Sequence, residues 1–486
     1  MFDDIPRPVF WKRLLLGAVL CIFAAAGATA VAAFHEIDKV VDALELGPEL
    51  KLGKDELAVT DPGEPQTLMI LGSDRRPKNN TQGAAGARSD TIILVRLDGD
   101  EEATAVLSLP RDLRVEIPGH GTDKINAAYE VGGPKLTLET VKAVTGLPIN
   151  HVINVHFGGF WRAVNAVGCV YVDVDRRYFN DSAAYAFIDI QPGYQRMCGR
   201  KALQYVRFRH EDTDLVRAAR QQDFLRQAKQ QVVVTDLISN RDRLYKIFGR
   251  NTSTDRGLRS RAEVLRLTKL ALGTADQPIR EVRFRGSIGE VYVESTPKQM
   301  SRMVDEFLDV EDTPGPRGVV KRRFKRGKRK KLPSVGDLGL EDAGGFGEDQ
   351  ALQAVQTGRA FLGKRLPVLY PKLRTIGSIY AGPPRVYKIG ATDGRAYGAY
   401  RMFLQTGVVG EYYGLQGTTW TDPPILEGVT DTRAVGKRTY ELVEDGDRLR
   451  LVAWRTPKAV YWVSNTLLLT LTDKQMMAIA RSVRGL

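Results

Sequence analysis

The sequence predicts an α/β protein in which helices cover a mixed β-sheet in an α-β-α layered arrangement, followed by a smaller α+β unit. The main observation is that short apolar, β-branched runs alternate with segments of helical spacing. The predicted strands are Thr67–Leu71, Thr91–Asp98, Ala103–Asp112, His151–Phe157 and Cys169–Val174. The predicted helices are Pro134–Gly146, Phe160–Gly168, Gly199–Val206 and Asp214–Val233. Strands that alternate with helices along a chain indicate a layered sheet.

The second observation is a change of pattern in the last 150 or so residues. Thr439–Trp454 contains two alternating runs about an Asp445–Gly446 turn, which predicts a β-hairpin. Thr472 and Gln475 have the spacing of a capping box at the start of a final helix. No pattern in this part is typical of a catalytic site, so its role stays unassigned.

Length and charge place limits on the class of protein. A chain of 486 residues exceeds the size at which one core stops growing, so two folded domains are expected. The formal net charge of +13 indicates an anionic partner such as nucleic acid, a phosphate-bearing polymer or lipid head groups. Composition does not choose among these partners.

The N-terminus narrows the choice of partner. Leu14–Phe34 has 21 residues without a charge, long enough to span a bilayer, and basic residues precede it. We therefore expect a single-pass membrane protein with a cytoplasmic N-terminus and an extracytoplasmic remainder. The alternative is a cleaved signal peptide, for which Ala28–Ala30 or Ala30–Ala32 would serve as the cleavage site. Either interpretation disfavours nucleic acid as the partner.

The expected organisation follows from these segments. The boundaries are a cytoplasmic tail at 1–13, a transmembrane helix at 14–34, a juxtamembrane stalk at 35–64, the layered α/β domain at 65–311, a basic linker at 312–333 and a C-terminal domain at 334–486. Nine of the eleven residues from Lys321 to Lys331 are basic. Outside a cell this run would contact anionic wall polymer or lipid head groups, or serve only as a solvated spacer.

Cys169 and Cys198 remain after Cys21, which lies inside the apolar span, is set aside. In an oxidising exterior such a pair is expected to form a disulfide, and two buried free thiols are the alternative. The cysteines show no spacing typical of a zinc site.

Polar residues collect at the ends of the predicted strands, where open α/β sheets bind ligands. They are Asp74 and Arg75 after the first strand, Arg88 and Asp90 before the second, Arg111, Asp112 and Arg114 after the third, and Lys124 and Asn126 in the next loop. Two carboxylates among several cations suit a divalent metal and a pyrophosphate, because Mg²⁺ prefers oxygen ligands and arginine binds phosphate through two N–H groups.

A second polar group lies in the stretch YVRFRHEDTDLVRAARQQ, Tyr205–Gln222. Arg207 and Arg209 are two positions apart and would share a face if the chain there is extended. Asp214, Arg217 and Arg220 or Gln221 recur at helical spacing, which predicts one polar stripe. This stripe would form a wall of a phosphate site, or Asp214 and Arg217 would form an ordinary surface ion pair.

Five segments in this order, GSDRR, ARSDT, LSLPRD, DKINAAY and YVRFRHEDTDLVRAARQQ, resemble the LytR-CpsA-Psr family of bacterial wall-polymer ligases. The resemblance covers about Gln66 to Gln230. It implies a membrane-anchored, Mg²⁺-dependent phosphotransferase that moves a glycopolymer phosphate from a polyprenyl pyrophosphate carrier to a peptidoglycan hydroxyl. The alternative is a non-enzymatic binder or regulator of polyprenyl-linked wall polymers.

The resemblance also implies roles for individual residues. Catalytic positions would be Asp74, Arg88, Asp90 and Arg111, with Asp74 and Asp90 as the Mg²⁺ ligands. Pyrophosphate-binding positions would be Arg75, Arg114, Lys124, Arg207, Arg209, Arg220, Gln221 and Gln222. The ARSDT segment follows a polar insert at Arg76–Ala87, which affects the loop between the first two motifs.

Overall fold

The protein is described by a computed structural model. The described residues are 36–53, 55–73, 89–101, 104–182, 187–208, 213–231, 240–274, 279–289, 291–308, 334–358, 366–445 and 448–486. The predicted membrane span Leu14–Phe34, the basic run Lys321–Lys331 and the site candidates Asp74, Arg75, Arg88 and Arg209 lie outside them. None of the helices in the described part combines the length and apolar character needed to cross a bilayer.

Up to residue 308, short strands alternate with helices. The strands are β1 (Gln66–Ser73), β2 (Ser89–Leu97), β3 (Thr104–Leu109), β4 (Arg114–Ile117), β5 (Gly121–Lys124), β6 (His151–His156), β7 (Val170–Val174), β8 (Tyr178–Asn180), β9 (Ile188–Ile190), β10 (Gly193–Met197), β11 (Thr252–Thr254), β12 (Ile279–Val282), β13 (Ser287–Ile288) and β14 (Val293–Glu294). The helices are α1 (Ile125–Thr145), α2 (Phe157–Ala166), α3 (Gly199–Arg207), α4 (Asp214–Gln231), α5 (Arg241–Asn251), α6 (Arg261–Gly273) and α7 (Pro297–Leu308).

The central sheet has six strands in the order β11-β6-β1-β2-β3-β12. The pairs β1–β6 and β3–β12 are parallel, whereas β1–β2, β2–β3 and β11–β6 are antiparallel. Strands β1 and β3 are almost entirely buried, and Ile92, Ile93 and Leu94 of β2 are buried, in agreement with their continuous β-branched and leucine-rich runs. The predicted mixed α/β sheet is therefore confirmed.

Helices cover this sheet on both sides. Leu138 of α1 and Phe307 of α7 belong to one apolar core together with Leu71, Leu94 and Leu107 of the sheet. A second core unites strand β7, helix α3 and helix α4, and α4 also contacts β3. The α-β-α layering that the alternation predicted is present in the described residues.

Two local predictions need correction. The helix predicted at Pro134–Gly146 is the second half of a longer helix, because Gly133 adopts a φ of 63° and the helix kinks there before Pro134. Arg207 is the last residue of helix α3 and does not lie in an extended segment. The idea that Arg207 and Arg209 share a face of an extended chain is therefore wrong for Arg207.

The predicted disulfide between Cys169 and Cys198 is confirmed, with a sequence separation of 29 residues. Cys169 follows α2, and Cys198 directly precedes α3. The bond therefore ties the end of one helix to the start of the next, and in the chain-entropy model closing such a loop stabilises the fold by about 3–4 kcal/mol.

Residues 334–486 build a second sheet. Its strands and neighbouring short strands are β15 (Leu340–Asp342), β16 (Leu369–Tyr370), β17 (Leu373–Thr375), β18 (Ile379–Tyr380), β19 (Arg385–Gly390), β20 (Ala396–Gln405), β21 (Tyr412–Thr418), β22 (Asp431–Val435), β23 (Arg438–Asp445), β24 (Arg448–Thr456), β25 (Ala459–Ser464) and β26 (Arg484–Gly485). Its helices are α8 (Gly345–Gly358) and α9 (Asp473–Ser482). Strands β18 to β25 form an eight-stranded antiparallel sheet, and α8 and α9 share an apolar core with one of its faces. The β23–β24 hairpin and the Thr472–Gln475 capping box are both as predicted.

The other face of this sheet packs against the first unit. Tyr171 and Tyr194 of β7 and β10 enter one apolar cluster with Tyr387 and Trp462 of the C-terminal sheet. The hydroxyl of Tyr387 donates to the backbone oxygen of Tyr194 at 3.1 Å, and Arg401 forms an ion pair with Asp173 at 3.3 Å. The contact is thus part of the folded core.

A buried ion cluster crosses the same contact. Arg450 of β24 bonds to Asp223 of α4 and to Glu281 of β12, each at 3.0 Å, and also to Asp445. Arg226 of α4 pairs with Asp223 and Glu281. Because α4 also carries the predicted site residues, the C-terminal sheet is joined directly to the helix that positions them.

The cluster predicts a pH dependence of stability. Burial raises the pKa of Glu281 to about 7, despite the charge of Arg450. A carboxyl group whose pKa is higher in the folded state favours folding while protonated, so the free energy of unfolding should fall as pH rises from about 4.5 to about 7, by on the order of 1–3 kcal/mol. Glu281→Gln should flatten this slope in denaturant unfolding measured across that range. An unchanged slope in the variant would assign the pH dependence to other groups.

Candidate functional site

The ends of several strands meet at one edge of the central sheet. Ser73 at the end of β1 pairs with Ser89 at the start of β2, and Ser73 also lies beside His156 at the end of the parallel strand β6. Leu109 at the end of β3 pairs with Ile92 of β2. The predicted site residues that follow these strands therefore start from the same edge, as the position of the motifs suggested.

One of the two predicted metal-binding positions, Asp90, belongs to the described backbone at this edge. The register between β1 and β2 shifts so that Gly72 pairs with Thr91 and Ser73 with Ser89, which leaves Asp90 as the extra residue of a β-bulge. Asp74 follows Ser73 directly in the sequence. Within the described residues there is no cluster of three or more metal-binding side chains, and Asp74 is outside those residues.

Arg207 lies next to this edge. Its guanidinium group is 3.8 Å from the centre of the Phe157 ring, and Phe157 is the first residue of α2 after His156. His156 in turn contacts the hydroxyl of Ser73 through Nδ1 at 3.1 Å. This chain of contacts places Arg207 beside the end of β1, and its half-buried position leaves it partly open to a ligand.

Arg111, in the turn after β3, belongs to a group of three cations around two carboxyl groups. Lys124 Nζ is 3.0 Å from Asp112 Oδ1, and Arg111 Nε is 3.5 Å from Asp112 Oδ2 and 3.7 Å from Asp214 Oδ2. Arg217 Nη2 is 3.0 Å from Asp214 Oδ1. Asp214 and Arg217 are both buried, so their contact is not the surface ion pair that was the alternative.

The two carboxyl groups of this set differ in their ionisation. Burial raises the pKa of Asp112, but its bond to Asp214 and the charge of Lys124 outweigh that effect and lower the pKa. For Asp214, burial and the neighbouring Asp112 raise the pKa in spite of Arg217. Asp214 therefore retains its proton to a higher pH than Asp112 does. Three cations around two carboxyl groups leave an excess of positive charge, which favours the binding of an anion.

Arg220 lies inside the fold. It is fully buried, and its Nη2 donates to the backbone oxygen of Phe208 at 2.5 Å. The guanidinium group also lies over the rings of Tyr178, Tyr205 and Phe208, at 4.7, 5.6 and 5.9 Å from their centres. Arg220 thus holds the backbone that follows Arg207, and its contact with pyrophosphate stays a prediction.

The two glutamines of the closing motif point to different places. Gln221 Nε2 donates to the hydroxyl of Thr91 at 3.1 Å and to the backbone oxygen of Val206 at 3.2 Å. Gln222 Nε2 donates to the backbone oxygen of Val282 at 3.5 Å, on β12. Since Thr91 follows Asp90, Gln221 is the glutamine that supports the bulge, and Gln222 anchors α4 to the sheet.

Arg114 stands apart from the other cations. Its side chain is about half exposed and pairs with Glu294 at 3.3 Å on the surface. It shares one feature with Lys124, because both cations lie over the ring of Tyr292, at 5.6 and 5.9 Å. Arg114 is therefore at the rim, whereas Arg111, Lys124 and Arg207 lie closer to the strand ends.

The structure adds residues that motif reading did not assign. The sequence motifs place Asp112 and Asp214 only as neighbours of arginines, and they assign no role to Tyr178. The signal for Asp112 and Asp214 was available, since two acids embedded in arginine-rich motifs predict paired charges. No local signal identifies Tyr178, because its contact with Arg220 joins positions 42 apart in the sequence.

The class of protein follows from a match to a family model. The model of the LytR_cpsA_psr family matches residues 35–306. The chain therefore belongs to the LytR-CpsA-Psr family, and the resemblance drawn from the five motifs is confirmed.

Several curated relatives carry specific names. The polyisoprenyl-teichoic acid--peptidoglycan teichoic acid transferase TagT of Bacillus subtilis (strain 168) is 32% identical over 226 residues, 44% of this chain and 68% of that protein. TagU of Bacillus cereus, named with the same activity, is 33% identical over 235 residues, 47% of this chain and 70% of that protein. The probable cell wall biosynthesis protein LcpB of Corynebacterium glutamicum is 39% identical over 166 residues, 32% of this chain and 39% of that protein.

Among solved structures, TagT bound to LIIa-WTA overlaps 52% of this chain and 93% of its own, with 25% sequence identity and a TM-score of 0.39.

Proposed function

We propose that this protein is a membrane-anchored, extracytoplasmic phosphotransferase that moves a glycopolymer phosphate from a polyprenyl pyrophosphate carrier to a hydroxyl group of peptidoglycan. One observation carries the proposal: Arg111, Lys124 and Arg207 lie at the strand ends where Asp90 forms the bulge, in a chain of the LytR-CpsA-Psr family. The names of TagT and TagU support the same reaction class.

The reaction needs little beyond positioning and charge neutralisation. An acceptor hydroxyl attacks the phosphorus nearest the polymer, a new O–P bond forms, and the bond from that phosphorus to the bridging oxygen breaks. Polyprenyl phosphate leaves with the electron pair, and its added negative charge is stabilised by Arg111, Lys124 and Arg207. The proton of the acceptor hydroxyl passes to solvent or to a carboxylate at this edge.

Other residues hold these cations in place. Arg220 fixes the backbone after Arg207, Gln221 supports Thr91 beside the bulge, and Asp112 orients Lys124. Asp74 and Asp90 would hold Mg²⁺, which when bound supplies positive charge to the phosphate oxygens. The segment Leu14–Phe34 would keep the domain at the membrane that contains the donor.

Replacing Asp90 with alanine tests the proposal most simply. Asp90→Ala should reduce transfer of lipid-linked glycopolymer to peptidoglycan by at least about 100-fold, because the metal-binding carboxylate is lost. The unfolding midpoint should change little, since Asp90 lies at the end of its strand. The assay uses the purified full chain, radiolabelled lipid-linked polymer, peptidoglycan and Mg²⁺.

Asp123→Ala is the matched control, because Asp123 is an exposed carboxylate on β5 at the same end of the domain. It should transfer at the rate of the unchanged protein. If Asp90→Ala also transfers normally, Asp90 does not bind the metal. If the unchanged protein binds the donor without turnover, the chain is the binder that was the alternative.

A further inference from the structure

One surface next to the site exposes aromatic rings and arginines together. We call it the aromatic–arginine surface and define it by Trp161 and Arg162 of α2, Arg200 of α3, and Arg177, Phe179 and Phe187 of the β8–β9 hairpin. None of these residues takes part in the proposed chemistry. Large aromatic side chains are rarely clustered on the surface of a soluble protein, so this cluster indicates a binding partner.

The hairpin presents two phenylalanines outward. Tyr178 is fully buried against Arg220, and the next residue along the strand, Phe179, therefore points to the opposite side and is 37% exposed. Phe187 is 66% exposed and meets Phe179 edge to face, with ring centres 6.2 Å apart. Arg177 lies 4.4 Å above the Phe179 ring. Phe179 and Phe187 therefore form a packed aromatic pair at the surface of the hairpin.

Helices α2 and α3 extend the surface. Arg200 and Gln204 are one turn apart on α3, so they lie on one face of this helix. Arg200 lies over the ring of Trp161 at 5.9 Å, and Gln204 donates to the backbone oxygen of Phe187 at 3.0 Å. Arg162 also lies over Trp161, at 4.9 Å. The same helix face therefore joins the tryptophan to the phenylalanine hairpin.

The charge of this surface is positive. Arg177 is neutralised by Asp189, which it contacts at 2.8 and 3.0 Å. Arg162 instead bonds to the uncharged side chain of Asn251, and Arg200 is exposed beside Trp161. Exposed aromatic rings with guanidinium groups between them are typical of segments that lie in the interface of an anionic bilayer.

The position of this surface in the molecule follows from two neighbouring residues, Arg207 and Asn251. Arg207, which lies in the site, is on the same helix as Arg200 and Gln204 and is two turns beyond Arg200. On the other side, Asn251 ends helix α5, and Arg241 at its start pairs with Glu36, the first described residue. At 1.5 Å per residue, α5 spans roughly 15 Å. Glu36, the first described residue after the predicted membrane span, therefore lies about one length of α5 from Asn251, which contacts Arg162 of this surface.

We propose that the aromatic–arginine surface lies in the head-group region of the membrane and turns the site toward the lipid-borne donor. The partner is an anionic phospholipid surface, and the proposal rests on the proposed function for its lipid-linked donor. A protein or wall-glycan partner would suit the aromatic rings. Neither explains why the surface lies near both Arg207 and Glu36, the first described residue after the predicted membrane span.

Photo-crosslinking in vesicles tests the contact without relying on transfer activity. The full chain, with Phe187→p-benzoylphenylalanine, is reconstituted into vesicles of phosphatidylglycerol and phosphatidylcholine. Phe346→p-benzoylphenylalanine is the matched control, because Phe346 is 65% exposed but belongs to the C-terminal sheet unit. Position 187 should crosslink to lipid and position 346 should not. Lipid adducts that are absent at position 187, or equal at both positions, would overturn the proposal.

A second measurement links the surface to its purpose. The double variant Phe179→Ser, Phe187→Ser should lose about tenfold in transfer from a long-chain donor embedded in vesicles, because the site is no longer oriented toward the bilayer. Transfer from a short-chain, water-soluble donor should be unchanged. The proposal would be overturned if the double variant transferred from both donors at the rates of the unchanged protein. A loss of the same factor with both donors would also overturn it. If the unchanged protein transfers from neither donor, the proposed function fails, while the crosslinks still report the membrane contact.

Discussion

Replacing both Arg207 and Arg209 with alanine should weaken the binding of polyprenyl pyrophosphate by roughly 100- to 10,000-fold. Charge-assisted hydrogen bonds contribute about 1.5–3 kcal/mol each, and the double variant removes two such groups. Arg207 lies beside the end of β1 through its contact with Phe157, and Arg209 follows two residues later in the sequence. Isothermal titration of the full chain in detergent with polyprenyl pyrophosphate and Mg²⁺ measures the effect.

Arg114→Ala is the control for this titration. Arg114 is also an arginine of the motif region, but it is half exposed and already paired with Glu294. Its loss should change the affinity by no more than a few fold, since exposed ion pairs contribute about 0–1 kcal/mol. An unchanged affinity in the Arg207, Arg209 double variant would remove both residues from the site. A large loss with Arg114→Ala would move the site toward β4.

The second large effect is expected far from the strand ends. Arg450→Met should lower the free energy of unfolding by about 3–5 kcal/mol, because it leaves the buried carboxyl groups of Asp223, Glu281 and Asp445 without their shared cation. Since Asp223 is on α4, transfer activity should fall as well. Urea unfolding followed by tryptophan fluorescence measures stability, and the lipid-linked polymer assay measures transfer.

Arg455→Met provides the comparison, because Arg455 lies on the same strand with a similar set of partners, Glu441 and Asp422, at the surface. Its side chain is 39% exposed, so its loss should cost no more than about 1 kcal/mol. Adding Glu281→Gln to Arg450→Met should restore part of the stability by removing one buried carboxyl group that has lost its cation. Equal stabilities of the two single variants would show that the buried cluster does not hold the units together.

Much of the first unit could be predicted from local pattern. The strand at Thr67–Leu71 is buried on both faces and the strand at Thr91–Asp98 is buried at Ile92–Leu94, and such strands carry continuous apolar runs that are visible in the sequence. The hairpin at Thr439–Trp454 is predicted by the alternation of apolar and polar residues on either side of an Asp–Gly pair. The edge at which the motifs meet followed from the rule that ligands bind where strands end.

What could not be predicted depends on contacts between distant segments. The aromatic rings around Arg220 come from β8 and from the end of α3, so the burial of this arginine has no local signature. Arg450 of β24 has no distinctive pattern in the sequence, and its role depends on the packing of the C-terminal sheet on α4. Periodicity assigns faces within an element, but it does not say which face of which element meets another.

The most direct test of the central claim is a crystal structure of the protein with polyprenyl pyrophosphate and Mg²⁺. The account predicts a diphosphate at the ends of β1 and β3, with its oxygens within hydrogen-bond distance of Arg111, Lys124 and Arg207. A diphosphate bound elsewhere, with these three side chains directed away from it, would contradict the assignment of the site and with it the proposed transfer reaction.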